Sequence, residues 1–381
     1  GLEAGLRPGD DPLATPACAS SCISQAIKFG DFNDPDSQVS KLTASRDFFQ
    51  MHEELGNDPQ IKYLIETPAV PARTTTDDEH DDEEMLDLEH ALVGKRQLFW
   101  DMRAAMNFIM GGIGSGTVVM AYLLSFFVTF DSHALININI GAGVILAVGL
   151  FFVWLKIGRK LRAPFAILRP HTSWMSREIY AVGLFYLSVA ADILQPSPLF
   201  HATTALGAAL FLYCQGRILH AGKGIPSWRV AQMPIMLVAT GLLEGIALLT
   251  IIFSKWGDQL PDTLPIPPLA IFLIVLNAYL WRRYNDNAKA WGIGPIDRRI
   301  LNLITPKLHV IGHVLPLVLF GSLFLNDNAP IWVADIAGFL TIAGCVLWKA
   351  VVITRACHMQ SFAMGKMPQR GSGKYAAPLK V

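Results

Sequence analysis

Residues 134–155 read ALININIGAGVILAVGLFFVWL, and KIGRKLR follows at 156–162. Twenty-two residues without a charge are too many for an ordinary strand. They are enough for a helix to cross the ~30 Å hydrocarbon core, which takes roughly 20 residues. The abrupt basic end is what a membrane interface requires. Working outward, seven further apolar blocks of similar length appear, at 99–130, 175–195, 199–220, 229–254, 264–282, 307–326 and 331–356. The breaks between them hold charges, Pro or Gly, including the 195–198 turn QPSP and the stretch 283–306. Charged residues make up 16% of the chain, against about 25% in soluble domains, and mean hydropathy is positive. Lys+Arg and Asp+Glu both number 31, so no basic excess points to nucleic acid. The predicted fold class is therefore an all-α membrane protein with eight transmembrane helices.

The polar residues are gathered at the N-terminus. Four regions are expected: a polar segment at 1–73, an acidic linker at 74–96, an eight-helix membrane region at 97–357 and a tail at 358–381. TTTDDEHDDEEMLDLEH at 74–90 reads as a solvated tether. The first sixteen residues lack the apolar region of a signal peptide, and residue 1 is not Met. It is expected to be an internal point of a longer protein, a processed end or a truncated reading frame.

Charge sets an orientation. With eight crossings, thirty of the 31 Lys and Arg fall on the side of the two termini, and only Lys255 falls on the other. Positive residues are retained in the cytoplasm, so both termini are expected there, in an inner membrane.

Cys214, Cys345 and Cys357 lie in apolar blocks and read as small buried hydrophobes. Cys18 and Cys22 follow a Pro in ATPACASSC, and thiolates at that spacing suit an iron–sulfur cluster or zinc. Two thiols alone do not complete a four-ligand cluster.

Ionisable groups inside spans are costly and so are functional candidates. Glu178 lies about one turn inside the third span, behind Arg177, with Thr172 or Ser173 as helix cap. Arg217 and His220 end the fourth span, His309 and His313 begin the seventh, and Lys349 and Arg355 lie in the terminal half of the eighth. These share one face with Arg103 and could line one polar pocket. Glu244 sits near the middle of the fifth span, either as a proton-path group or as a structural one paired across helices. Asp192 and His201 lie at the opposite face. GGIGSG at 111–116 allows helices to approach closely, and could also admit a flat ring. A b-type haem would need two histidines at equal depth on facing helices, and none lies deep in its span, so no haem is expected.

Three strings, GLRPGDDPLATPACASSC (5–22), FGDFNDPDSQVSKL (29–42) and LGNDPQIKYL (55–64), resemble the C-terminal part of the four-cluster ferredoxin-like subunit of molybdopterin oxidoreductases. That resemblance implies a small, mostly irregular ferredoxin-like remnant in which Cys18 and Cys22 ligate a [4Fe–4S] cluster, shared or incomplete in this chain. Ile23 stands where the family usually has Pro after its last Cys. GRKLRAPFAILRPHTSWMSREI (158–179) and AGCVLWKAVVITRACHMQSFAMGKMPQRG (343–371) resemble the eight-span anchor subunits of the dimethyl sulfoxide reductase family. Those anchors bind quinone without haem. The glutamate of their SREI-like motif is implicated at the quinone site, and Glu178 matches it. Lys156 stands where they carry a histidine.

The expected function is thus a membrane anchor and electron-transfer subunit that exchanges electrons between quinone and [4Fe–4S] clusters. Glu178, Arg177, His220, His309 and Lys349 are the expected quinone pocket. Substrate chemistry is expected in a molybdopterin-containing partner, and the remaining cluster ligands in a further iron–sulfur module. A cytoplasmic partner resembles sulfite or acyl-CoA dehydrogenases that reduce quinone. Two other classes are a haem-bearing cytochrome b-type anchor, which an optical alpha band would reveal, and a transporter with a soluble tail, which inverted repeats would mark.

Overall fold

The computed structural model describes residues 5–20, 26–51, 59–64, 86, 93–128, 130, 132–158, 160–256, 265–326 and 329–360. The chain forms two compact units. In the first, a 3₁₀ turn at Pro12–Ala14 and one helical turn at Ala17–Ser20 precede helix α1 (Gln38–Ser45). Strand β1 (Phe48–Phe49) then pairs antiparallel with β2 (Tyr63–Leu64), in the register Phe48↔Leu64 and Phe49↔Tyr63. The Phe49 and Tyr63 rings stack at 5.0 Å, and Lys62 Nζ lies 4.5 Å from the centre of the Phe48 ring. Among the described residues of this unit, the rest is turn and irregular chain.

The second unit is all helix. Among the described residues it holds α2 (Met102–Leu124), α3 (Ser132–Lys156), α4 (Trp174–Leu194), α5 (Pro198–His220), α6 (Met233–Trp256), α7 (Ile266–Asp286), α8 (Pro295–Leu325) and α9 (Ile331–Thr354). These helices fall on the eight apolar blocks. By length and composition, α2, α3, α6, α8 and α9 can cross a membrane. α4, α5 and α7 are more polar because they carry buried Glu178, Asp192, Gln215 and Asn277. Large apolar side chains are exposed on the outer helices, such as Phe151 at 53% and Phe339 at 68%. A water-soluble protein avoids contiguous surface of that kind, while a bilayer covers it. The protein is an all-α, multi-pass membrane protein.

α2 is the hub, packing against α3, α5, α6 and α9. Its glycines make that possible. A Cβ on Gly116 would lie 1.7 Å from the carbonyl oxygen of Gly241, and one on Gly245 would lie 2.1 Å from the carbonyl carbon of Gly116. The backbones of α2 and α6 are therefore in contact, as small residues allow in a membrane, where close packing drives helix association.

The stretch 283–306, expected as a connection, is largely helical. α7 runs on to Asp286, and α8 starts at Pro295, twelve residues before the expected span. PIDRRILNLITPKL looks like a loop by composition. Its apolar residues Ile300, Leu301, Ile304 and Leu308 recur at helical spacing, and Leu301 and Leu308 are buried. At 1.5 Å per residue, α8 is about 46 Å long, longer than the hydrocarbon core. Pro306 removes one backbone donor, and a π-helical stretch, His309–Val314, follows it.

Asp101 caps α2. Its Oδ1 accepts from the Arg103 backbone N–H at 3.0 Å, and its Oδ2 accepts from the Arg103 guanidinium at 2.7 Å. The guanidinium, with Lys156 Nζ at 3.4 Å, holds this carboxyl down at about 2. Asp101→Ala should cost about 1 kcal/mol of thermal stability. The folded carboxyl lies below its unfolded value of about 3.9. The contribution of Asp101 should therefore be complete above about pH 4 and fade as pH falls towards 2. If wild type and variant lose stability in parallel across that window, Asp101 is no cap.

Candidate functional site

Glu178 is placed by the start of α4. Ser173 Oγ accepts from the Ser176 backbone N–H at 3.3 Å and sets the first turn, so Glu178 points inward and is buried. Asn107 Nδ2, on α2, lies 3.5 Å from Glu178 Oε1, at the limit of a hydrogen bond. Gln215 Nε2, on α5, donates to the Asn107 backbone carbonyl at 2.9 Å. Asn107 Oδ1 is buried and has no hydrogen-bond partner among the described residues. Three helices thus meet at a polar junction inside an apolar bundle.

Arg177 turns away from that junction. It donates to the carbonyls of Pro170 and His171 at 2.7 and 2.9 Å. Its guanidinium lies 4.0 Å from the Trp174 ring, and that of Arg217 lies 4.7 Å from the same ring. Such cation–ring contacts hold both arginines at the end of the bundle.

Lys349 is deep inside. Its Nζ donates to Glu244 Oε2 at 2.7 Å and to the Phe108 carbonyl at 3.0 Å. Both side chains are essentially inaccessible to solvent. Glu244, which has no partner nearby in sequence, is therefore paired across helices. A Cβ on Gly112 would lie 2.3 Å from both Glu244 Oε2 and Lys349 Nζ, so this glycine makes room for the pair. Residues 107–112 of α2 touch both buried carboxylate sites, Glu178 through Asn107 and Glu244 through Gly112.

The histidines lie elsewhere. His220 Nδ1 is 3.0 Å from the Val230 carbonyl, and its Nε2 is 3.2 Å from Lys223 Nζ. A carbonyl only accepts and an ammonium only donates, so this ring carries its proton on Nδ1. His309 and His313 approach each other with Nδ1 atoms 3.1 Å apart, one donating and the other accepting. His313 lines a narrow void with Thr240 and Asn277. Among the described residues, no hydrogen bond or ion pair joins Glu178 to Arg177, His220, His309 or Lys349. At the other end of α4, Asp192 Oδ2 lies 2.6 Å from His201 Nδ1.

The sequence reading missed Asn107 and Gln215. Their signal was a single amide inside each of two apolar blocks, where an unpaired amide is costly. It also missed Asp297, whose Oδ1 lies 2.6 Å from His358 Nδ1 and whose Oδ2 accepts from the His358 backbone N–H at 3.1 Å.

Cys18 is exposed on its helical turn, and Cys22 lies outside the described residues. Among the described residues no three metal-binding side chains come together. A [4Fe–4S] cluster needs four ligands, of which Cys18 and Cys22 would supply two. Cys214, Cys345 and Cys357 are buried, as read from the sequence. Burial pushes the Cys357 thiol up to about 11, so it stays neutral.

Comparison with known proteins places these features. Residues 103–289 match the family described as DMSO reductase anchor subunit (DmsC). The N-terminal segment is similar to iron–sulfur subunits. It is 44% identical over 59 residues to the iron–sulfur cluster-binding subunit of menaquinone reductase from Nitratidesulfovibrio vulgaris, covering 16% of this chain and 22% of that protein. The iron–sulfur subunit of a dimethyl sulfoxide reductase from Halobacterium salinarum is 45% identical over 49 residues, 13% of this chain and 19% of that one. A polysulfide reductase component from Wolinella succinogenes is 39% identical over 46 residues, 12% and 24% respectively. The chain thus spans only about a fifth of the length of the curated relatives it matches. Residues 103–289 are thus similar to the DMSO reductase anchor subunit (DmsC) family, and the N-terminal segment of the same polypeptide is similar to iron–sulfur subunits.

Proposed function

We propose that this polypeptide is the membrane anchor and electron-transfer subunit of a molybdopterin oxidoreductase complex, exchanging electrons between a membrane quinone and iron–sulfur centres. The observation that carries this reading is the union of an anchor-family membrane segment with a segment similar to iron–sulfur subunits. A [4Fe–4S] cluster at Cys18 and Cys22 would take its remaining ligands from a further iron–sulfur module. A partner polypeptide would hold the molybdenum cofactor and the substrate chemistry.

Reducing a quinone takes up two electrons and two protons. The site therefore needs a proton-exchanging group in apolar surroundings, and Glu178 is our assignment. Asn107 Oδ1, buried and without a partner among the described residues, is suited to accept a hydrogen bond from a quinol hydroxyl. Arg177, His220, His309 and Lys349, which make no hydrogen bond or ion pair with Glu178 among the described residues, are assigned to the wider quinone region at their own positions. Glu244 belongs to a proton path because the 107–112 turn of α2 touches both carboxylate sites.

The bias of Lys and Arg supports eight crossings of an inner membrane with both termini in the cytoplasm. A catalytic partner on that side favours a dehydrogenase of the sulfite- or acyl-CoA-oxidising type, with quinone as electron acceptor.

The test uses the intact complex in liposomes. Glu178→Gln keeps the shape and removes the proton exchange. It should lower quinone turnover roughly a hundredfold, the lower range of acid–base contributions, while subunit composition and iron content stay unchanged. Unchanged quinone kinetics would remove Glu178 from the site. A wild-type complex that passes no electrons to any quinone would overturn the whole reading.

A further inference from the structure

A second binding region lies at the ends of α8 and α9. Backbone bonds tie the segment before α2 to the segment after α9: Gln97 N–H donates to the Cys357 carbonyl at 3.2 Å, and Met359 N–H to the Lys95 carbonyl at 3.0 Å. Gln97 Nε2 adds a bond to the Ile353 carbonyl at 3.0 Å. This fixed strap and the amphipathic start of α8 wall an open groove of about 1030 Å³. That is at or beyond the upper range of about 300–1,000 Å³ for small-molecule sites.

The groove has two chemistries. Its apolar wall includes Leu98, Ile300 and Leu303, with Leu98 and Leu303 well exposed. Lys95, Arg96, Lys307 and Arg355 also line it, and all four are exposed. Among the described residues none of the four is ion-paired. The nearby carboxylate, Asp297, has both oxygens engaged by His358. Four such cations over an apolar wall, at the ends of membrane-crossing helices, match an anion that carries hydrocarbon.

We propose that this groove binds an anionic phospholipid, with its phosphate between Lys95, Arg96, Lys307 and Arg355 and its acyl chains along Leu98, Ile300 and Leu303. The apolar wall favours a lipid over a wholly polar acidic peptide, which would leave that wall uncovered. Basic surfaces beside membrane helices draw anionic lipid with about 1 kcal/mol per cation. This assignment needs only the membrane location and stands apart from the quinone reading.

The experiment delipidates the full-length protein in mild detergent and titrates phosphatidylglycerol or phosphatidylcholine, reading bound lipid by native mass spectrometry. Wild type should retain phosphatidylglycerol and not phosphatidylcholine. Lys307→Gln with Arg355→Gln should weaken that binding roughly 30-fold. All four cations are exposed, so this variant should fold, and Lys95→Gln with Arg96→Gln provides an independent second variant. Equal retention of the two lipids, or unchanged binding in both variants, would overturn the proposal. So would a wild-type protein that takes up phosphatidylglycerol only after DDEHDDEE at 77–84 is neutralised, because the occupant would then be its own acidic stretch. Inorganic phosphate displacing the lipid at millimolar concentration would likewise reduce the site to a phosphate site.

Discussion

Lys349→Met should cost about 3–5 kcal/mol, enough to drain most of the folded protein from the membrane fraction. Lys349 Nζ and Glu244 Oε2 are 2.7 Å apart, in a place where neither side chain meets solvent. Removing the ammonium leaves a buried carboxylate without its counter-charge and the Phe108 carbonyl without a donor from that side chain. The pair as a whole is a different matter. Two charges taken out of water recover little more than their desolvation cost, so replacing both is often nearly neutral. Glu244→Gln combined with Lys349→Met should therefore regain most of the loss. Thermal unfolding in detergent across the four-member cycle separates the two effects. A loss in the double variant equal to the sum of the two single losses would mean that the pair carries no coupling.

Gly116→Ala should be the most damaging single methyl group in the bundle. Its Cβ would lie 1.7 Å from the Gly241 carbonyl oxygen and 2.5 Å from that carbonyl carbon. Backbone atoms cannot rotate aside, so α2 and α6 must move apart along their whole contact. Overpacking costs about 1–3 kcal/mol where side chains can adjust, and this case should reach or pass that upper bound. Separation of α2 from α6 would also disturb Gly112 and the Glu244–Lys349 pair beside it. The comparison is Gly141→Ala on α3, where nothing lies within 4 Å of the added methyl. That change should be neutral or slightly stabilising, since alanine is favoured over glycine within a helix by up to about 1 kcal/mol. Melting temperatures of both variants test the contrast. If Gly116→Ala melts with wild type, the close α2–α6 contact does not hold.

The membrane helices α2, α3, α6, α8 and α9 were legible because a crossing helix is a local demand. Roughly twenty residues must each be apolar enough for lipid, whatever lies elsewhere in the chain. The Ser173 cap and the buried cysteines were legible for the same reason. The start of α8 was not, because Arg298, Arg299 and Lys307 give 295–308 a loop-like composition. Only its apolar spacing reveals the helix, and the packing of Leu301 and Leu308 stabilises it.

By itself, the sequence determined the membrane class, the apolar blocks, the basic edge and the candidate status of Glu178, Glu244 and Lys349. The tertiary structure alone decided which of these meet. Glu244 and Lys349 are 105 residues apart, and Glu178 and Asn107 are 71 apart. Nothing local selects such partners. Side-chain charge marks a residue as costly in an apolar interior, but only the crossing of α2 with its neighbours, set by glycines that let backbones touch, determines which costly group lies within hydrogen-bonding distance of another.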